Sequence, residues 1–141
     1  MTKQAPYILV ADDDPDDQEM LVNRMQIRHP AIPVRCLDGG VETLTYLHNC
    51  PTDELPLVMI LDYKMPGLTG AEVLQSIRPD GRYGAIPKII WSTSNNAEYK
   101  ERSIQSGADK YFTKPSDMSA FDHLVDYLSQ LFSSRIDQAG G

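Results

Sequence analysis

Cysteine is nearly absent from this 141-residue chain, and the two present, Cys36 and Cys50, stand apart with no Cys-x-x-Cys spacing between them. Both read as free structural thiols of a reducing compartment. Long apolar runs are missing as well. The most apolar, Leu57-Val58-Met59-Ile60-Leu61, falls far short of the roughly 20 residues that cross a bilayer. Cationic residues are scarce, with 13 Lys and Arg against 20 Asp and Glu for a formal charge of −7. That balance speaks against a nucleic-acid backbone as the main partner, because such binding is driven by clustered Lys and Arg. The N-terminal Met1-Thr2-Lys3-Gln4-Ala5-Pro6 leads at once into a strand-like run and aspartates, which is not a signal-peptide pattern. These absences leave a soluble, cytoplasmic protein with neither membrane nor nucleic acid as partner.

What is present fits one domain with a real core. Hydrophobic content of 41% and charged content of 23% are ordinary for a globular chain of this length. Five β-like runs, at about 6–11, 32–37, 56–61, 87–92 and 109–113, alternate with helix-like segments at about 15–28, 39–49, 70–78, 95–106 and 117–132. Such alternation predicts a doubly wound α/β sheet. The third run lacks polar alternation, as a central parallel strand covered on both faces does. In the last helix Phe121, Leu124, Val125, Leu128, Leu131 and Phe132 recur at three- and four-residue spacing, and Ser116 and Asp117 are natural caps for its start. The domain is expected over 1–132. After it, 133–141 reads as a frayed tail with no second domain. The segment Arg78-Pro79-Asp80-Gly81-Arg82-Tyr83-Gly84 is the one long loop.

Three of the apolar runs stop on charge: Tyr7-Ile8-Leu9-Val10-Ala11 on Asp12-Asp13-Asp14, the Leu57–Leu61 run on Asp62, and Tyr111-Phe112-Thr113 on Lys114-Pro115. In an open parallel sheet the ligand crevice lies outside the carboxyl ends of the strands, so these groups converge on one site. Helix capping accounts for Asp14, Asp16 and Asp17, which belong to the helix start. It accounts poorly for Asp12 and Asp13, which sit at the strand end and read as ligands of a divalent metal. An EF-hand loop is excluded by its spacing. Asp62 precedes the next helix by several residues and reads as a carboxylate nucleophile able to form an acyl phosphate. Lys114 then serves as a point cation for the site, aimed by Pro115. Ser92, at the mouth of the fourth strand, offers a hydroxyl to a phosphoryl oxygen. The histidines His29, His48 and His123 do not cluster with the acids, and the methionines read as core filling.

With these residues placed, the chain resembles the receiver domain of two-component response regulators. Four landmarks carry the resemblance: 8–15, ending in Asp12-Asp13-Asp14-Pro15; Leu61-Asp62-Tyr63-Lys64-Met65-Pro66-Gly67-Leu68-Thr69-Gly70; Trp91-Ser92-Thr93; and Gly107 through Lys114-Pro115. They occur in order across nearly the whole chain. The resemblance implies a flavodoxin-like (βα)5 three-layer sandwich with a parallel sheet of order 2-1-3-4-5. It implies Asp62 as phosphoacceptor, Mg²⁺ held by Asp12, Asp13, Asp62 and the backbone carbonyl of Lys64, and phosphoryl contacts from Ser92 and Lys114. Ser92 and Tyr111 would form the conformational switch. The implied partners are a sensor histidine kinase or histidine phosphotransfer protein and a further downstream protein, with a homodimer through the fourth-helix to fifth-helix face as a family expectation. The role is that of a phosphoacceptor signalling protein rather than an enzyme, acting as switch or phosphorelay intermediate. The loop at 78–84 resembles that of stand-alone receivers paired with phytochrome-type kinases.

Two residues depart from the commonest pattern: Lys64, a long cation beside the acceptor, and Trp91, a large residue just before Ser92. Lys64 also weighs against a phosphatase of the haloacid dehalogenase kind, which needs a second Asp at that position. The full set of Asp12, Asp13, Asp62, Ser92 and Lys114 disfavours a receiver that signals by contacts alone. A nucleotide-binding module is disfavoured because no Gly-rich turn follows the first strand.

Overall fold

A computed structural model describes residues 4–140. Five strands, β1 (Ile8–Ala11), β2 (Val34–Leu37), β3 (Val58–Asp62), β4 (Lys88–Ser92) and β5 (Lys110–Thr113), form one sheet in the order β2-β1-β3-β4-β5. Every pairing is parallel. The crossovers are α1 (Pro15–Arg28), α2 (Gly40–Asn49), α3 (Gly70–Ile77) and α4 (Ala97–Gln105), and α5 (Met118–Gly140) closes the fold. This is the flavodoxin-like (βα)5 sandwich expected from the resemblance.

Burial explains why the strands read as they do. β1 and β3 are buried along their full length, whereas the edge strands β2 and β5 keep half-exposed or exposed residues. A parallel strand covered on both faces has no polar side to show. Alternate residues feed two cores. Ile8, Val10, Ile60, Ile89 and Trp91 pack with Leu21 and Met25 of α1 and Leu124, Val125 and Leu128 of α5. Leu9, Met59, Leu61 and Ile90 pack with Leu47 of α2 and Val73, Leu74 and Ile77 of α3, with Tyr99 of α4 at the margin.

Local chemistry fixes the helix starts around the rim. Asp14 caps α1, its carboxylate accepting from the Asp16 and Asp17 N–H groups, and Pro15 follows where no donor is needed. Thr69 and Glu72 form a reciprocal capping box at α3. Asn96 caps α4, which begins at Ala97 rather than at the expected 95. Asp117 caps α5, accepting from the Ala120 N–H at 2.8 Å. Gly67 bends the β3–α3 connection with φ +83, a backbone region costly for other residues. Gly70 lets α3 start against the end of β3: a Cβ there would lie 2.5 Å from the Asp62 carbonyl oxygen.

The expected frayed tail is a correction. Residues 133–140 continue α5, a single helix of 23 residues. Neither Pro nor Gly interrupts Ser133-Ser134-Arg135-Ile136-Asp137-Gln138-Ala139, and a helix already nucleated by a packed amphipathic segment adds residues cheaply.

Candidate functional site

Register brings the charged ends of the strands to one rim. Ala11 pairs with Leu61 and Leu37, Asp62 with Trp91, and Ser92 with Thr113, so Asp12, Asp62, Ser92 and Lys114 all stand on the carboxyl edge of the sheet. Asp62 is itself the last residue of β3, one position further into the strand than its expected place just beyond it. Asp12 is fully buried and Asp62 nearly so, whereas Asp13 is exposed. Asp12, Asp13 and Asp62 each offer an oxygen within 4.8 Å of the others, and theirs is the one such group of potential metal ligands among the described residues.

Each member is held by its neighbours. The Asp12 carbonyl accepts from the Gln18 side-chain amide, which also donates to the Leu37 carbonyl at 2.9 Å, pinning α1 to the ends of β1 and β2. Asp12 Oδ1 accepts from the Asp14 N–H at 2.9 Å. Its Oδ2 is buried and receives no directed hydrogen bond, lying 2.8 Å from Lys114 Nζ in an ion pair. Lys114 Nζ also lies 2.6 Å from Asp17 Oδ2 and 3.4 Å from Asp62 Oδ2. Beneath it is the Trp91 ring, with its centroid 4.9 Å from the ammonium, a cation–π contact in a largely desolvated place.

The electrostatics follow from this crowding. Burial and the Asp12 charge push the Asp62 carboxyl up to about 7, against the pull of Lys114. Burial raises the Asp12 carboxyl as well, opposed by Lys114 and the Asp14 N–H. Burial works against the Lys114 charge, but its ion pair with Asp12 and the hydrogen bond it donates to Asp17 outweigh that cost and hold the ammonium above its ordinary range. One buried cation thus faces more negative charge than it can balance. Three clustered carboxylates with an under-coordinated buried oxygen fit a hard divalent cation, which takes oxygen ligands.

Ser92 is buried, and its Oγ accepts from the Ser94 N–H at 3.2 Å, which leaves its own proton free to donate. The Ser94 carbonyl in turn accepts from the Tyr111 hydroxyl at 2.5 Å. The two expected switch residues are therefore joined through one residue of the β4–α4 connection. Lys64 is exposed, its ammonium 5.3 Å from the Tyr99 ring centre, and Tyr99 stacks on buried Tyr63 at 4.3 Å. The Lys114–Pro115 peptide bond is trans.

Sequence reasoning missed three contacts. The sequence reading gives Asp17 to the helix cap, yet Asp14 fills that role and Asp17 accepts from Lys114. The contact of Trp91 with Lys114 and the Tyr63–Tyr99 stack join residues from different elements. The signal for Asp17 was present: with Asp14 at the cap, a third acid one turn along is surplus to capping. His29, by contrast, pairs with Asp126 and stays outside the acidic group, as expected.

Residues 8–126 match the family described as the response regulator receiver domain. The two-component response regulator ORR5 of Oryza sativa subsp. japonica is 30% identical over 111 residues, covering 79% of each chain. An uncharacterized 14.6 kDa protein of Leptolyngbya boryana is 30% identical over 118 residues, covering 84% of this chain and 86% of that one. Among solved structures, the receiver domain of Francisella response regulator 1452 superposes with a TM-score of 0.74 at 27% identity, covering 92% of this chain and 98% of the other. The phosphorylated cyanobacterial phytochrome response regulator RcpA superposes with a TM-score of 0.80, covering 93% and 96%, and at 23% identity the likeness is one of fold.

Proposed function

The chain belongs to the response regulator receiver domain family, signalling proteins by nature, and we propose from that premise that it is a phosphoacceptor switch charged on Asp62. The donor is a phosphohistidine of a sensor histidine kinase or a histidine phosphotransfer protein. One Asp62 oxygen attacks phosphorus, the phosphorus–nitrogen bond breaks, and the departing imidazole nitrogen takes up a proton. The product is an acyl phosphate on Asp62, later released as inorganic phosphate when water attacks.

The observation that carries this reading is the convergence of Asp12, Asp13, Asp62 and Lys114 on one rim, with their charged atoms within a few ångströms. Asp12, Asp13, Asp62 and the Lys64 carbonyl would hold Mg²⁺. When bound, the ion offsets the negative charge of the carboxylates and of the incoming phosphoryl group. Lys114 supplies a second positive charge, 3.4 Å from Asp62, and the free Ser92 proton would donate to a phosphoryl oxygen. Drawing Ser92 toward that oxygen pulls on the Ser94 N–H, which moves the Ser94 carbonyl away from the Tyr111 hydroxyl. Tyr111 is then free to turn, altering the surface shared by α4, β5 and α5. Converting a 1:99 population of the active form into 99:1 requires about 5.5 kcal/mol of preference.

This reading sets the protein in the cytoplasm, and two free thiols among the described residues agree with it. An acyl-phosphate donor supplied with Mg²⁺ tests the acceptor. Wild type should take up one phosphoryl group and Asp62→Asn none; label persisting on the variant would sink the assignment.

A further inference from the structure

We propose that Asp17 is a positioning residue that holds the Lys114 ammonium in reserve and competes with the phosphoryl group for it. The proposal rests on the phosphoacceptor reading above and adds a residue to it. Lys114 Nζ has three carboxylate neighbours, and the shortest contact is to Asp17, at 2.6 Å, against 2.8 Å to Asp12 and 3.4 Å to Asp62. Asp17 stands outside the group that fits a metal, so charge arriving there does not occupy its oxygens.

Helix chemistry does not explain that contact. Asp14 already accepts from the first free N–H groups of α1, at 2.9 Å from Asp16 and 3.4 Å from Asp17. The Asp17 carboxylate is directed to the lysine instead. Lys114 keeps only 7% of its side chain exposed and rests on the Trp91 ring, so the ammonium has little water to turn to. When a phosphoryl group forms on Asp62, its oxygens draw the ammonium from the side where 3.4 Å now separates it from Asp62. The charge-assisted bond to Asp17 must then be stretched or shared. Two consequences follow. Asp17 weakens phosphoryl binding and shortens its life, and the first turn of α1 senses the state of Asp62 through the lysine.

Beryllofluoride with Mg²⁺ serves as the probe, a phosphoryl mimic that needs no donor. Trp91, the chain's only tryptophan, reports binding by its emission because the ammonium lies on its ring. Asp17→Asn should bind the probe roughly five- to tenfold more tightly than wild type, within the usual range of coupling between sites. Asp17→Glu should stay near wild type, and in a Lys114→Gln background Asp17→Asn should change nothing. The same double-mutant cycle, read on thermal unfolding without the probe, covers the case in which Lys114→Gln abolishes binding: midpoint shifts that do not add support the pairing. Equal affinity of Asp17→Asn and wild type, or shifts that simply add, overturns the proposal. Wild type indifferent to beryllofluoride overturns the phosphoacceptor reading instead.

Discussion

Asp12 and Asp62 set the pH behaviour of the metal-free protein. Each is buried, and burial raises both carboxyls, Asp62 from 3.8 to about 7. A group bound to its proton more tightly in the folded state makes stability fall with rising pH, because the folded chain must give up that proton at a cost the unfolded chain does not meet. For Asp62 the loss begins above 3.8 and is complete above about 7. Metal-free wild type should therefore show a falling unfolding midpoint across that interval. Asp62→Asn should flatten most of the slope and melt higher than wild type at pH 8. Adding Mg²⁺ at pH 8 should raise the wild-type midpoint, since a cation in the acid group relieves the same repulsion, and leave Asp62→Asn much less affected. Thermal melts in chelator and in Mg²⁺ read all three. These four principal positions, Asp12, Asp62, Ser92 and Lys114, were legible in the sequence because each stops an apolar run. That Asp17 is surplus to the cap could be read there too, but its target could not, because Lys114 lies 97 positions away.

Among the elements, the β3–α3 connection is the tightest joint. Gly70 sits where a side chain would meet the Asp62 carbonyl and the Ile90 side chain, and Thr69 with Glu72 closes the helix start. Gly70→Ala should destabilise by about 1–3 kcal/mol, the usual cost of overpacking a close contact. Thr69→Ala should cost about 1 kcal/mol through the lost cap. Urea midpoints separate the two, and only Gly70→Ala, by displacing the Asp62 backbone, should also slow phosphorylation. The elements themselves were readable from their periods, with boundaries off by up to a few residues. What could not be read was how loops attach. Arg82, in the long loop, donates to the Leu47 and Cys50 carbonyls at the end of α2, at 2.8 and 2.7 Å. The Leu47 carbonyl otherwise accepts only from the Cys50 N–H of the helix cap and the Tyr83 hydroxyl, and nothing in either segment alone announces the match. The end of α5 was misread because its packing signal stops at Phe132, while a helix needs no packing signal to run on for two turns.

For the molecule as a whole, the seam between α1 and α5 carries its own charge ledger. Arg24 meets Asp122 at 2.7 Å, and Arg28 and His29 both meet Asp126 at 2.7 Å. Hydrogen bonds from Arg28 and then His29 hold the Asp126 carboxyl well below the usual carboxylate range. A depressed carboxyl gives stability that is present above its unfolded value and is lost as pH falls through the folded one. The acid side of the stability curve should therefore descend below about pH 4, opposite in sign to the Asp62 slope, and Asp126→Asn should soften it. The effect is modest because the pair is largely exposed, and 1 M salt should reduce it further. Urea midpoints taken from pH 2 to 8 would show two arms, each reduced by its own substitution.

Helix α5 starts beside Lys114-Pro115, runs antiparallel to the strands, and brings Ile136 to a cavity lined by Pro6, Tyr7 and Leu57 under the opposite edge of the sheet. At about 1.5 Å per residue its 23 residues make a strut of about 34 Å. A strut does not bend to absorb a push at one end. Whatever shifts the segment after β5 must tilt the whole rod or slide it along the α1 seam, so the floor of the molecule is mechanically answerable to the rim that holds Asp62 and Lys114.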